Sequence, residues 1–432
     1  MVGVPARAVA AALWWLAVTR DSGAYGSKKK PLFEYDDHYV MLNDHLRNDF
    51  YKRALERVVP PCGADCVVLD VGAGSGLLSM MAARLGAPEV LAIEANPALA
   101  DLAEKTIARN QASFPGSNVT VVAALSSAVG VERMPRGRRA DVLVTETFGT
   151  MLLGEGAISF VPDARDRLLK PGGVVIPAGG CQYATLVEIP EFAAATSPSG
   201  WGGLNFSHFE VLQDTVYWKA AVGASSTPFR RLSDRVCVLE VDLTRDTRES
   251  VPLNATFRLQ ATGAGTAHAV LFDWDVWADA SRADVLSTAP GARRFAGDVA
   301  WGWLLQLQEL AGEDWKYGQR PEKVTLVEGE WLDLAVEFIA GGISMHARMR
   351  RPPPGQQDAG AAPGPLPERP GSPARIRGVD RGDMVEANEY YLPMVGDHGR
   401  HEFYQRALLA ALEARSATGA RPTVLDCSGG GG

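Results

Sequence analysis

Glu146 and Glu155 frame the stretch Thr145-Glu-Thr-Phe-Gly-Thr-Met-Leu-Leu-Gly-Glu-Gly156, nine positions apart. The apolar run Asp141-Val-Leu-Val144 just before them reads as a buried parallel strand. In open α/β sheets, ligands bind outside the carboxyl ends of the strands. Two carboxylates on one hairpin loop at that end are placed to grip a cation. A guanidinium, planar and permanently charged with five N–H donors, is the cation that suits them. A single loop glutamate is ordinarily just solvated; the pair at a strand end carries the inference.

A second motif lies upstream. Val68-Leu-Asp-Val-Gly-Ala-Gly-Ser-Gly76 is a strand entering a glycine-rich turn and then a helix, which lets a ligand approach the backbone at a helix N-terminus. Glu94 ends the next apolar run, Val90-Leu-Ala-Ile-Glu94, where an acid can hold ribose hydroxyls. The dinucleotide spacing G-x-G-x-x-G is missing, because Leu77 stands where its third glycine would fall. With Asp70 two residues before Gly72, and Gly74 and Gly76 following, the stretch resembles the S-adenosyl-L-methionine site of class I methyltransferases. That resemblance implies cofactor contacts from Asp70, Gly72, Gly74 and Glu94.

The elements that must hold these motifs alternate. Strands are expected over 67–71, 90–94, 119–124 and 141–146, with helices over 75–85 and 97–110 between them, followed by a helix ending near Gly173 and a strand over 174–176. Alternation of this kind makes βαβ units and a parallel sheet. Beyond Cys181, short alternating runs over 237–243, 255–261, 324–338 and 343–349 read as an antiparallel, barrel-forming partner domain. From Arg351 the composition turns to Pro, Gly, Ala and Arg, which cannot bury a core and reads as a linker. An internal repeat follows: Glu402-Phe-Tyr-Gln-Arg-Ala-Leu408 echoes Asp49-Phe-Tyr-Lys-Arg-Ala-Leu55 at an offset of 353, and Val424-Leu-Asp426 echoes Val68-Leu-Asp70. The expected organisation is an extension over 1–30, a Rossmann-like domain over 31–180, a β-barrel domain over 181–350, a linker over 351–384 and the truncated start of a second repeat over 385–432.

His38-Tyr-Val-Met-Leu-Asn-Asp-His-Leu-Arg47 precedes the first strand. Spacings of three from Met41 to Asp44 to Arg47 place these side chains on one helical face. The segment matches the N-terminal helix motif of protein arginine methyltransferases at His38, Met41, Leu42, Asp44 and Arg47. Together with the glycine turn and the acidic loop, the resemblance to that family covers about residues 33 to 350. It includes Leu286-Ser-Thr-Ala-Pro290, and Val299-Ala-Trp301 where the family carries Thr-His-Trp. It implies S-adenosyl-L-methionine as cofactor, with Arg47 on the cofactor's carboxylate and Ser126 at its adenine. It further implies Met41 and Trp301 on the substrate side, and Glu146 and Glu155 as the catalytic pair. Ala300 departs from the pattern, since the family's histidine there helps hold the acidic loop.

The spelling Met151-Leu-Leu-Gly-Glu-Gly-Ala157 and the started second copy look most like the tandem-domain, monomethylating type III branch. A symmetric dimethylating member and an inactive cofactor-binding scaffold are the alternatives. The resemblance implies arginine-containing partners, basic or Arg-Gly-rich, such as histones or RNA-binding proteins, and a homodimer or internal pseudo-dimer.

Bulk properties bound these expectations. The net charge of −8 over 432 residues argues against direct nucleic-acid binding and suits basic protein substrates. Five cysteines in an odd, scattered arrangement read as thiols of a reducing compartment, with no metal site. The apolar run over 8–18 imitates a signal-peptide core but is too short to span a bilayer and lacks a convincing cleavage site. A cytoplasmic or nuclear protein without membrane attachment is expected.

Overall fold

Val67-Val-Leu-Asp-Val71 is apolar at every position but Asp70, and the computed structural model buries all of it as the central strand β1 (Val67–Val71). The structure describes residues 37–149, 151–190, 204, 217–220, 229–289, 303–307, 324–339, 341–342, 344–352 and 398–416. Four more parallel strands flank β1: β2 (Glu89–Glu94), β3 (Asn118–Ala123), β4 (Ala140–Thr145) and β5 (Leu169–Ile176). Their order is β3-β2-β1-β4-β5, and β1 pairs in parallel with both β2 and β4. The order reverses at β1, so the carboxyl ends of β1 and β4 form the crevice where such sheets bind ligands.

Helices fill the crossovers as the apolar periodicity requires. α1 (Asp37–Asn43) and α2 (His45–Cys62) precede the sheet, and α3 (Leu77–Arg84), α4 (Pro97–Asn110) and α5 (Ala157–Leu168) follow its strands. Pro97 opens α4, and the Asn96 side chain caps it by accepting from the Ala98 and Leu99 amides. Asp44 corrects the sequence reading. Met41, Asp44 and Arg47 do not share one helical face, because Asp44 ends α1 and caps α2, its carboxylate accepting from the Arg47 amide at 3.0 Å. Short acidic side chains favour that half-helical position over a helix interior.

Beyond the parallel sheet the chain is antiparallel. The strands are β6 (Gly179–Glu188), β7 (Tyr217–Ala220), β8 (Arg230–Arg231), β9 (Val236–Asp242), β10 (Asn254–Gln260), β11 (Gly265–Ala267), β12 (Ala269–Trp277), β13 (Val285–Ser287), β14 (Trp303–Leu307), β15 (Val324–Leu326), β16 (Trp331–Ile339) and β17 (Ser344–Arg350). The largest sheet runs β7-β14-β12-β6-β8, with β9 also on β6 and β13 on β12; β10-β16-β17 forms a second sheet. The run over 324–338, read as one strand, divides at Gly329, whose φ of +84° makes a turn. The whole is a Rossmann-like sheet followed by an antiparallel half-barrel, and the described parts of both lie in one compact unit.

α2 ties the two layers together. Its buried face, Phe50, Tyr51, Ala54, Leu55 and Val59, joins the core under the parallel sheet. Its outer face sends Arg53 and Arg57 to Asp284, just before β13, at 2.9 to 3.1 Å. Among the described residues no helix is long and apolar enough to cross a membrane.

The cysteines depart from expectation, because four of them are paired as disulfides. Cys62 and Cys66 lie 5.4 Å apart at Cα, where α2 turns back through Gly63 into β1. Cys181 and Cys237 join the neighbouring strands β6 and β9 with Cα atoms 6.0 Å apart. The first pair closes a local turn between helix and strand, and the second joins strands 56 residues apart in sequence.

A separate unit contributes α6 (His398–Ser416), the echo of α2. The extension over 1–30, the linker beyond Pro352 and the echo of β1 at Val424 lie outside the described residues.

Leu55 is fully buried while its counterpart Leu408 is exposed. Leu55→Ala is expected to destabilise the chain by about 2–5 kcal/mol. Leu408→Ala should change stability by less than about 0.5 kcal/mol. Chemical denaturation of the two variants tests the difference.

Candidate functional site

The site begins where β1 ends. Gly72 takes a φ of +76°, and a Cβ there would sit 2.5 Å from the Thr147 methyl, so only glycine admits the acidic loop this close. The Gly72 and Ala73 amides donate to the Ile93 carbonyl at 2.9 and 3.0 Å, folding the turn back over β2. Glu94 completes it, accepting from the Gly74 amide at 2.9 Å and the Asn96 amide at 2.7 Å. His38 reaches over the turn from α1, since a Cβ on Gly74 would meet its Nε2 at 3.2 Å. Glu94, Gly72, Gly74 and His38 therefore converge.

Asp70 lies beneath the turn. It is wholly buried and accepts from the Ser79 hydroxyl of α3 at 2.6 Å. Burial, only partly offset by Ser79, pushes its carboxyl up to about 7. The structure thus gives Asp70 a part in fastening α3 to β1.

Glu146 continues directly from β4. Thr145 anchors that strand end by donating from its hydroxyl to the Val71 carbonyl at 2.8 Å, so the turn and the acidic loop share a hydrogen bond. Arg47 donates from Nη2 to Glu146 Oε2 at 2.7 Å and from Nη1 to the Met41 carbonyl at 2.8 Å. Both side chains are buried, 8% and 6% exposed. Desolvation raises the Glu146 carboxyl above its ordinary value, although Arg47 and the Phe148 amide pull the other way. The structure brings Arg47, the Met41 carbonyl and Glu146 together, an ion pair that the spacing along the helix does not reveal.

Around this pair are buried polar atoms with no hydrogen-bond partner among the described residues: Asp44 Oδ2, Arg47 Nε, Tyr51 Oη, Asp70 Oδ1 and Glu146 Oε1. Tyr51, Arg47, Asp70 and Glu146 are close enough that the three charges act on the Tyr51 hydroxyl, which burial holds well above its usual range. Native structures seldom leave such groups unpaired, so the cluster fits a polar ligand. Tyr51 was not recognised from sequence; its signal was the Phe-Tyr pair that recurs at 403–404.

The loop between the acids is an apolar plug. Phe148, Met151, Leu152 and Leu153 are all buried. Gly149 and Gly154 touch, a Cβ on Gly149 falling 3.2 Å from Gly154 Cα and 3.4 Å from the Glu155 amide nitrogen. That pinch brings the second limb back beside the first. Glu155 is exposed, just ahead of Gly156 at the start of α5.

Ser126 is buried in a short 3-10 turn after β3. Arg167 of α5 holds that turn, donating to the Ser126 carbonyl at 3.0 Å and the Val129 carbonyl at 2.7 Å. Trp301 and Ala300 lie outside the described residues. One group of metal-type ligand atoms occurs among the described residues, Cys62, Cys66 and Asp141. Its two sulfurs are bonded to each other, and Asp141 accepts from the Val67 amide and Lys170, so no metal is assigned.

Comparison with known proteins fits this geometry. Residues 52–182 match the family model described as ribosomal protein L11 methyltransferase. An arginine N(omega)-methyltransferase from Streptomyces achromogenes subsp. streptozoticus is 37% identical over 243 residues, covering 55% of this chain and 64% of that one. Protein arginine N-methyltransferase 7 of Drosophila melanogaster is 32% identical over 303 residues, covering 66% of this chain and 41% of that one. Over these stretches the chain is similar to arginine methyltransferases. It spans less than two thirds of the length of these relatives. The fold agrees with two solved structures. The Trypanosoma brucei PRMT1 enzyme-prozyme heterotetrameric complex with AdoHcy aligns with a TM-score of 0.60 at 20% identity, covering 73% of this chain and 98% of that one. Arabidopsis thaliana protein arginine methyltransferase 10 aligns with a TM-score of 0.55 at 21% identity, covering 71% and 88%.

Asp70 gives a pH signature. Its folded value of about 7 lies above the ordinary 3.8. Between these values the unfolded chain has released the proton and the folded chain has not, so stability falls as pH rises through that window. Asp70→Asn keeps an acceptor for Ser79 without the titration. Relative to the unaltered chain it is expected to gain stability from pH 4 to 7, at about 1.4 kcal/mol per unit in the limit. Denaturation at pH 4.5 and 7 tests this, and a pH-independent difference refutes the assignment.

Proposed function

We propose that this chain is an S-adenosyl-L-methionine-dependent protein arginine N-methyltransferase that places a methyl group on a terminal guanidino nitrogen and yields monomethylarginine. The observation that carries the reading is the buried Arg47–Glu146 pair set over the glycine turn amid unpartnered polar atoms. Arg47, Gly72, Gly74, Glu94 and Ser126 are the residues that would hold the cofactor, with Asp70 beneath them. When bound, the cofactor supplies a methyl group on a positively charged sulfur.

The protein's share of the chemistry follows from its acids. A guanidinium is a poor nucleophile because its lone pairs are delocalised and it stays protonated. Glu146 and Glu155 hydrogen-bond it, fix its orientation and draw its positive charge toward the nitrogens they grip. The third nitrogen would keep more of its lone pair for attack on that methyl group. Orientation and electrostatics supply most of the acceleration. The proton released from the methylated nitrogen passes to one carboxylate or to water. A buried Glu146 with a raised pKa is suited to take it.

Substrates in this reading are basic or Arg-Gly-rich proteins such as histones and RNA-binding proteins, to which a chain of net charge −8 is electrostatically complementary. Trp301 and Met41 belong to the substrate side. The repeat carried by α6 supports a homodimer or an internal pseudo-dimer. Action in the cytoplasm or nucleus is part of the same proposal; there the two cysteine pairs would stand as thiols.

Glu155→Gln is expected to keep cofactor affinity within twofold of the unaltered chain while methyl transfer falls by about 10²–10³. Calorimetry and a labelled-cofactor assay on an Arg-Gly-rich peptide measure the two quantities, and undiminished transfer would sink the mechanism. Mass spectrometry of the product should find monomethylarginine alone. Symmetric dimethylarginine would replace the monomethylating assignment.

A further inference from the structure

The loop that carries both acids is held from the antiparallel side at two backbone points. Trp274 of β12 donates from its indole Nε1 to the Gly149 carbonyl at 3.0 Å, and its ring lies against Phe148 with centroids 5.8 Å apart. Gln182 of β6 accepts from the Leu152 amide at 2.7 Å and donates from Nε2 to the Asp273 carbonyl at 2.8 Å. Both side chains are completely buried. β6 and β12 are neighbours in register, with Gln182 opposite Trp274, so the two groups work from one spot on one sheet. Gly180 adds room: a Cβ there would come within 3.0 Å of the Leu152 side chain.

A buried Gln and Trp are often no more than satisfied core residues. Here their polar atoms point to loop backbone, at Gly149 before the turn that returns the chain to Glu155 and at Leu152 within it. Without them a buried carbonyl and amide would go unpaired, at a cost that would favour another loop shape. Gln182 is fixed at both ends of its amide, so it cannot rotate to follow a wandering loop.

We propose that Gln182 and Trp274 are positioning residues for the acidic loop, setting the separation and orientation of Glu146 and Glu155 from the half-barrel side. The inference rests on the reading of those acids as the guanidinium grip. It also bears on position 300, where the family resemblance anticipates a bracing histidine and this chain has Ala, which lacks a polar side-chain group. The brace comes from β6 and β12.

The test uses the full chain with Trp274→Phe and Gln182→Met. The first keeps a ring beside Phe148 and removes the donor; the second keeps length and removes both hydrogen bonds. Each is expected to lower kcat on an arginine peptide by about 10- to 100-fold, the scale on which misplacement by about 1 Å acts. Cofactor affinity by calorimetry should stay within twofold, and hydrogen exchange should quicken over 149–155, most at Leu152. A merely structural role would lower the melting temperature but leave kcat per cofactor-binding site unchanged, and that result overturns the proposal. So does a kcat loss matched by an equal loss of cofactor affinity. Should the unaltered chain methylate no arginine peptide, the functional reading fails by itself. Exchange then decides the brace, with loosening confined to 149–155 supporting it and unchanged exchange refuting it. If one variant fails to fold, the other carries the test.

Discussion

The removal of the Glu146 carboxylate from water is the constraint on which the site depends. A buried charge is tolerated only with a partner and further hydrogen bonds, because desolvation outweighs the attraction of an imperfect pair. Arg47 is that partner at 2.7 Å, and its own place is set by Asp44 capping α2 and by the Met41 carbonyl. The helix break at Asp44 is therefore part of the electrostatics, since it ends α1 where the Met41 carbonyl can receive Arg47. Further along, α2 anchors itself through Phe50, Tyr51 and Leu55 on one side and through Arg53 and Arg57 to Asp284 on the other. A shift of α2 would strand a charge, so packing and ion pairing enforce the same position.

The same economy links the two ligand-facing segments. Gly72 lacks a side chain where Thr147 passes, and Thr145 bonds the Val71 carbonyl, so the glycine turn and the acidic loop fit only in each other's presence. A side chain at position 72 would push the loop outward and carry Glu146 away from Arg47. The cofactor half and the substrate half of the proposed site are in this sense one structure. Its apolar plug, Phe148 and Met151 to Leu153, supplies the hydrophobic driving force, and the polar contacts select one shape.

Much of this was legible in the sequence because period and punctuation agree. β1 and α4 fall at the residues read from their apolar runs and caps, and β2 to β4 differ only at their ends, whereas β5 begins at Leu169, within the stretch read as the end of a helix. The acids, the glycine turn and Arg47 were identifiable because each combines an unusual residue type with a defined place in an element. Tyr51, Gln182 and Trp274 were not, because inside apolar strands and helices they are indistinguishable from ordinary core residues. Their roles come from atoms that meet across distant segments, such as Gln182 Oε1 and the Leu152 amide. The Cys181–Cys237 pair was missed for the same reason, being brought together by strand pairing 56 residues apart in sequence.

The repeat makes the point within one chain. α2 and α6 share the pattern Phe-Tyr-x-Arg-Ala-Leu, yet Phe50, Tyr51 and Leu55 are buried while Phe403, Tyr404 and Leu408 are exposed. Helical propensity and apolar spacing suffice to make the helix in both places. Burial additionally needs a surface, which for α2 is supplied by β4 and β5 of the parallel sheet together with α3 and β13. Tyr51 lies among Arg47, Asp70 and Glu146 only because that surface holds it there. The chemistry of the site thus resides in the assembly of strand ends around α2, to which the helix sequence is only one contributor.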